Sequence, residues 1–180
     1  MPIILYLVRH CRAIGQEPDA PLTPEAHTEA GRLADALAPH AIDRIISSPF
    51  RRARDSIAPF AARRGLPIEQ DARLVEQVLS PTPLADWQDA LRAGFADPDL
   101  ALPGGEPARV AQARGIAVVE EVLARPGRGA VLVTHGALLT LLLRHFDPRF
   151  GYAEWARLSN PDLFRVEIRA DAPRVERLWE

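Results

Sequence analysis

The chain has 180 residues, 47% hydrophobic and 26% charged, which supplies one buried core and leaves too little length for a second full domain. A formal charge of -2 excludes the strongly basic footprint of a general nucleic-acid binder. The opening "MPIILYLVRH" has no basic leader region and an apolar run too short for a bilayer, and a single cysteine cannot close an intrachain disulfide, so the expected setting is the reducing cytoplasm, away from membranes.

Residues 3–8, "IILYLV", form a short apolar run suited to a strand covered on both faces. "LTPEAHTEAGRLADAL" follows as a helix, with Thr23 as N-cap, Pro24 at the first helical position and an apolar stripe through Ala26, Ala30, Leu33 and Leu37. "IDRIISS" (42–48) returns to strand, and "PFRRARDSIAPFAARRG" is helical to Gly65 with a kink or interruption expected at Pro59. "LPIEQDARLVE" reads as extended, "PLADWQDALRAGF" as a short helix, and "PGGEPARVAQARGIAVVEEVLAR" as a loop leading into a long helix. "GAVLVTHG" is a strand, "ALLTLLLRHF" a helix, and "PDLFRVEIR" with "PRVERLWE" a closing pair of strands. Strands alternating with helices predict an α/β fold: a single three-layer α/β/α domain over residues 1–180 with a mostly parallel central sheet.

In open sheets of this class ligands bind beyond the carboxyl ends of the strands. Those ends carry Arg9 and His10, then Arg51 and Arg52 through "SSPFRRAR", then Glu76, then His135 and Gly136. A lone histidine at a strand end is well explained by a structural role. Two histidines, a carboxylate and arginines from two of the strand exits form a set suited to a phosphoryl group. The basic residues are all arginine, which suits bidentate anion contacts but is explained first by a GC-rich genome. His27, His40 and His145 lie on helix faces or near helix ends and read as surface or capping residues, while Trp87, Phe95, Trp155 and Trp179 read as packing, with Trp87 or Phe95 placed to line an entrance.

These motifs resemble those of the histidine phosphatases, the phosphoglycerate mutase-like superfamily. "LYLVRHC" is similar to the family's strand ending in Arg-His-Gly, with Cys11 in place of glycine, and "SSPFRRARDS" resembles its second element in the register that selects Arg52 and leaves Arg51 out. "RLVE" resembles the segment carrying the acid and selects Glu76, and "VLVTHG" selects His135. "LTPEA" and "PGGEP" resemble two further family motifs, with Ala26 for glycine and Pro107 for serine.

The resemblance implies a phosphomonoesterase in which His10 attacks phosphorus and Arg9, Arg52 and His135 hold the equatorial oxygens, while Glu76 protonates the leaving oxygen and then activates water. It implies no cofactor and no metal, the arginines neutralising the charge. Arg9 and Arg52 are expected to disfavour the His10 imidazolium. Arg12, Gln16, Glu106 and Gly136 are candidate substrate contacts; Arg12 and Gln16 read equally as solvated loop residues, and Glu106 as a cap on the following helix. The expected partner is a small phosphorylated substrate or a phosphoprotein. A mutase-type phosphotransferase and a non-catalytic phosphate-binding module on the same fold stand as alternatives. A cysteine-phosphatase reading of Cys11 fails on spacing, because the arginine position of a Cys-x5-Arg loop holds Glu17.

Overall fold

Alternation within the apolar runs builds the architecture. In the computed structural model, which describes residues 4–180, strand β1 (Ile4–Arg9) sends Leu5 and Leu7 into one buried cluster and Tyr6 and Val8 into another. Ile3, the first residue of the expected strand, lies outside the described residues. Strand β4 (Gly129–Thr134) divides in the same way, Ala130 and Leu132 to the first cluster, Val131 and Val133 to the second. A strand buried on both faces needs a helical layer on each, and the chain supplies both. Helices α1 (Pro24–Leu37) and α2 (Arg51–Arg64) cover one face through Leu33, Leu37, Ile57 and Phe60. Helices α3 (Trp87–Ala96), α4 (Ala108–Leu123) and α5 (Gly136–Phe146) cover the other through Leu91, Val119, Leu138 and Leu142. The result is a three-layer α/β/α domain.

The sheet adds β2 (Arg44–Ser47), β3 (Ile68–Gln70), β5 (Asp162–Glu167) and β6 (Arg174–Arg177) in the order β3-β2-β4-β1-β5-β6. The first four run parallel, while β5 pairs antiparallel with β1, and β6 antiparallel with β5. A mostly parallel sheet therefore carries a hairpin at one edge.

Three local expectations change. Helix α2 passes through Pro59 without a break: the ring removes one donor, and Ile57, Phe60 and Ala61 bury the same stretch on both sides of it. The segment expected to be extended from 66 to 76 pairs only at Ile68–Gln70; the Asp71 carboxylate then accepts from Arg73 N at 2.8 Å and starts a 3-10 turn, Ala72–Leu74. A short helix α6 (Tyr152–Trp155), absent from the sequence reading, starts where the Glu154 carboxylate accepts from Gly151 N at 2.9 Å. Among the described residues no helix is long and apolar enough to cross a membrane.

Candidate active site

Register brings the two histidines together. Arg9 on β1 is paired with Thr134 on β4, so the next residue of each strand, His10 and His135, leaves the sheet at the same level, and His10 N donates to Thr134 O at 3.1 Å. Their rings lie with centroids 5.0 Å apart. β2 flanks β4, and the turn after it places Arg52 in the first turn of α2. A cavity of about 520 Å³ opens over these ends, and Arg9, His10, Arg52, Glu76 and His135 all line it.

His10 Nδ1 lies 2.6 Å from Cys11 O, a contact that requires an N–H on Nδ1 and leaves a lone pair on Nε2. Arg52 Nε donates to that Nε2 at 3.3 Å. Burial pushes the His10 imidazole down to about 3; the bond to the Cys11 carbonyl opposes this, and the Arg52 and Arg9 cations add to it. The expected arginine effect is present, but burial is the larger cause. His135 is held well below the usual histidine range by burial first, then by the His10 ring and Arg52. Its Nδ1 faces Arg52 Nη2 at 3.4 Å, so Nδ1 accepts and Nε2–H donates to Ser48 Oγ at 2.8 Å.

Arg52 is 3% exposed and is fixed by two further bonds, Nη1 donating to Gln16 O and Glu17 O at 3.0 Å each. Arg9 Nη1 donates to Leu158 O and Ser159 O, while its Nε is buried with no hydrogen-bond partner in the protein. The guanidinium as a whole lines the cavity, where its charge favours an anion. Gly136 lies against this guanidinium, and a Cβ there would sit 3.1 Å from Arg9 Nη2. The glycine therefore leaves space for the arginine.

Glu76 is anchored on the amino end of α5: Ala137 N donates to Oε2, and Leu138 N donates to Oε1, both at 2.9 Å, and Gln77 N adds a third bond to Oε1. Behind it, Arg114 of α4 donates to the carbonyls of Arg73, Val75 and Glu76 and makes a bidentate pair with Glu106 at 2.7 and 2.9 Å.

Of the four candidate substrate contacts, Arg12, Gln16 and Gly136 line the cavity. Glu106 does not; the geometry corrects both readings made of it, because its carboxylate is spent on Arg114 and the N-cap of α4 is Pro107. Arg51 points elsewhere, to Asp55. His27 and His145 are exposed and His40 is half-buried against Tyr6. Phe95 is buried in the core, whereas Trp87 and Trp155 line the cavity. Sequence reasoning missed Arg114, Ser48 and Asn160, whose Nδ2 donates to His10 O at 2.9 Å. Ser48 lay inside the quoted "SSPFRRAR" motif; the other two act through backbone carbonyls and leave no motif.

Residues 5–180 match the histidine phosphatase superfamily (branch 1). The glucosyl-3-phosphoglycerate phosphatase of Mycobacterium tuberculosis is 33% identical over 145 residues, covering 69% of this chain and 63% of that protein. A probable phosphoglycerate mutase, GpmB of Serratia proteamaculans, is 29% identical over 182 residues, covering 91% of this chain and 84% of its own. The solved native structure of the mycobacterial phosphatase superposes with a TM-score of 0.78 at 25% identity, covering 98% of this chain and 97% of that one. The chain spans less than two thirds of the length of two of the curated mycobacterial relatives it matches, 63% of the phosphatase and 31% of an uncharacterised protein.

Proposed function

The chain belongs to branch 1 of the histidine phosphatase superfamily, and from that premise we propose that it is a phosphomonoesterase working through a phosphohistidine at His10. One observation carries the reading: the carbonyl of Cys11 holds the proton on Nδ1, so a neutral Nε2 lone pair stands in the cavity between Arg9 and Arg52.

In the first step Nε2 attacks phosphorus in line as the ester P–O bond breaks. The leaving oxygen takes a proton from Glu76, whose Oε2 accepts only one backbone bond and keeps a lone pair for proton exchange. The guanidinium groups of Arg9 and Arg52, both of which line the cavity, gather the equatorial oxygens, which supports charge stabilisation by the protein's own side chains. In the second step the Glu76 carboxylate takes a proton from water, the water oxygen bonds to phosphorus, the P–N bond breaks, and inorganic phosphate leaves with His10 restored. The arginines supply the neutralisation, so turnover is expected to survive exhaustive chelation. A small phosphorylated molecule suits the cavity, and the single buried thiol fits a reducing, cytoplasmic setting.

The span between Glu76 and Glu106 holds only the ten-residue helix α3, which supports a hydrolase over a mutase that encloses a phosphoglycerate. The test is trapping with a radiolabelled aryl phosphate under a denaturing alkaline quench, followed by an acid-lability assay of the label. An acid-labile label on His10, absent from His10→Ala, is the expected result; a label on Cys11 or a serine refutes the scheme.

A further inference from the structure

Away from the phosphoryl end the cavity changes character. Its wall is made by Leu79, Pro83 and Leu84 from the loop after Glu76, Trp87 and Leu91 from α3, and Trp155 from α6. Trp87 and Trp155 meet edge to face at 5.6 Å, and Trp155 packs in turn on Tyr152 at 5.3 Å. This joins α3 to α6 across the cavity mouth. Trp87 stays 43% exposed despite that contact, so a large aromatic surface continues from the phosphoryl end toward solvent.

The loop that carries the wall is itself propped. Gly104 adopts φ +74°, and a Cβ on Gly105 would collide with Leu79 O, so the two glycines let their loop lie directly against residues 79–81. Glu106 N then donates to Val78 O at 2.6 Å. These contacts brace the start of the wall-bearing loop at Val78, Leu79 and Pro81.

Charge is sparse at this end. Among the described lining residues Arg12 is the one cation outside the phosphoryl cluster, and it is exposed, where water and salt screen it. A second carboxylate or phosphate on a substrate would find no buried counter-charge there.

We propose that the cavity selects phosphate monoesters whose alcohol is apolar or aromatic, laid against the Trp87–Trp155 wall, over esters that carry a second anionic group. The assignment rests on the phosphomonoesterase reading. Apolar area removed from water at the wall favours such a leaving group, and the aromatic faces favour a ring.

Ethyl phosphate and phenethyl phosphate share the same methylene–oxygen–phosphorus linkage and differ in the ring, so they test the wall at matched reactivity. The expected kcat/KM ratio favours phenethyl phosphate by about tenfold or more. Phosphoglycerate is expected to be no better than ethyl phosphate. Trp87→Ala should bring the phenethyl-to-ethyl ratio toward one, and Trp87→Phe should keep most of it. A wild-type ratio near one, or a preference for phosphoglycerate, overturns the proposal; so does a Trp87→Ala enzyme that loses both activities by the same factor, the behaviour of a purely structural residue. Calorimetry with ethylphosphonate and phenethylphosphonate separates the two readings. Tighter phenethylphosphonate binding without turnover of either ester would defeat the phosphatase reading and leave the wall standing; turnover of both esters without discrimination would do the reverse.

Discussion

Acid should unfold this protein partly through His10, the proposed nucleophile. The His10 imidazole takes a proton near 6.5 in the unfolded chain but only at about 3 in the folded one, with burial as the main cause. Between those values the unfolded state binds the extra proton, so stability falls as pH drops through 6.5 and goes on falling toward 3. The slope is about 1.4 kcal/mol per pH unit, and between roughly pH 6 and pH 4 the loss from this group is about 2–3 kcal/mol. That is a large share of the roughly 5–15 kcal/mol available to a domain. Urea denaturation of wild type and His10→Ala in phosphate-free buffer reads it directly. Burial, the first cause of the low His135 value, persists in His10→Ala, and the smaller contribution of the His10 ring is lost with it, so the stability of His10→Ala relative to wild type should rise by an amount of this order on acidification. Parallel stability curves across this range would refute the protonation state on which the nucleophile depends.

Arg114→Met should cost about 2–3 kcal/mol of stability, because it strips three backbone carbonyls of a donor and leaves the half-buried Glu106 carboxylate without its partner. It should lower kcat by about tenfold or more through displacement of Glu76 while inhibition by inorganic phosphate, a property of the arginine cluster, changes less; equal loss in both would mean that Arg114 supports the whole site. Cys11→Ser should keep activity within about tenfold of wild type, a barrier change of roughly 1.4 kcal/mol. Peroxide should leave the wild-type enzyme active, because the thiol is fully buried against Leu22, Ala26 and Ala30, and burial pushes it up to about 11; rapid inactivation that Cys11→Ser prevents would contradict this.

Much of the fold was legible because apolar period and strand order are written locally. "IILYLV" and "GAVLVT" both read as strands, and their pairing in register carries the histidines to one level. Strand-end position offered both Arg51 and Arg52, and only the resemblance to the family's second motif selected Arg52; nothing local shows that its side chain crosses back to the Gln16 and Glu17 carbonyls. Glu106 was misread because its partner is eight residues on, in the next helix, and because a glutamate beside a Gly-Gly loop looks the same whether it faces a ligand or a buried arginine. The 3-10 turn after β3 escaped because Asp71 offers the backbone a closer acceptor than the neighbouring strand does. The dominance of burial over the arginines in setting His10 is a property of three-dimensional enclosure, which no motif states.

The two kinds of bond made by Arg52 suit it to the proposed phosphoryl site. Its bonds to the Gln16 and Glu17 carbonyls are 3.0 Å long and fix the guanidinium. Its contacts to His10 Nε2 and His135 Nδ1 are 3.3 and 3.4 Å, beyond the usual range for N–H donors, and both acceptors are neutral. A phosphoryl oxygen accepting the same donors makes shorter, charge-assisted bonds. Replacing the imidazoles as acceptors therefore sacrifices little, and it requires no movement of the group that the carbonyls hold. On the proposed mechanism the long contacts keep the donors oriented and add to the burial that holds His10 neutral, which places the cost of arranging the site in folding rather than in the reaction.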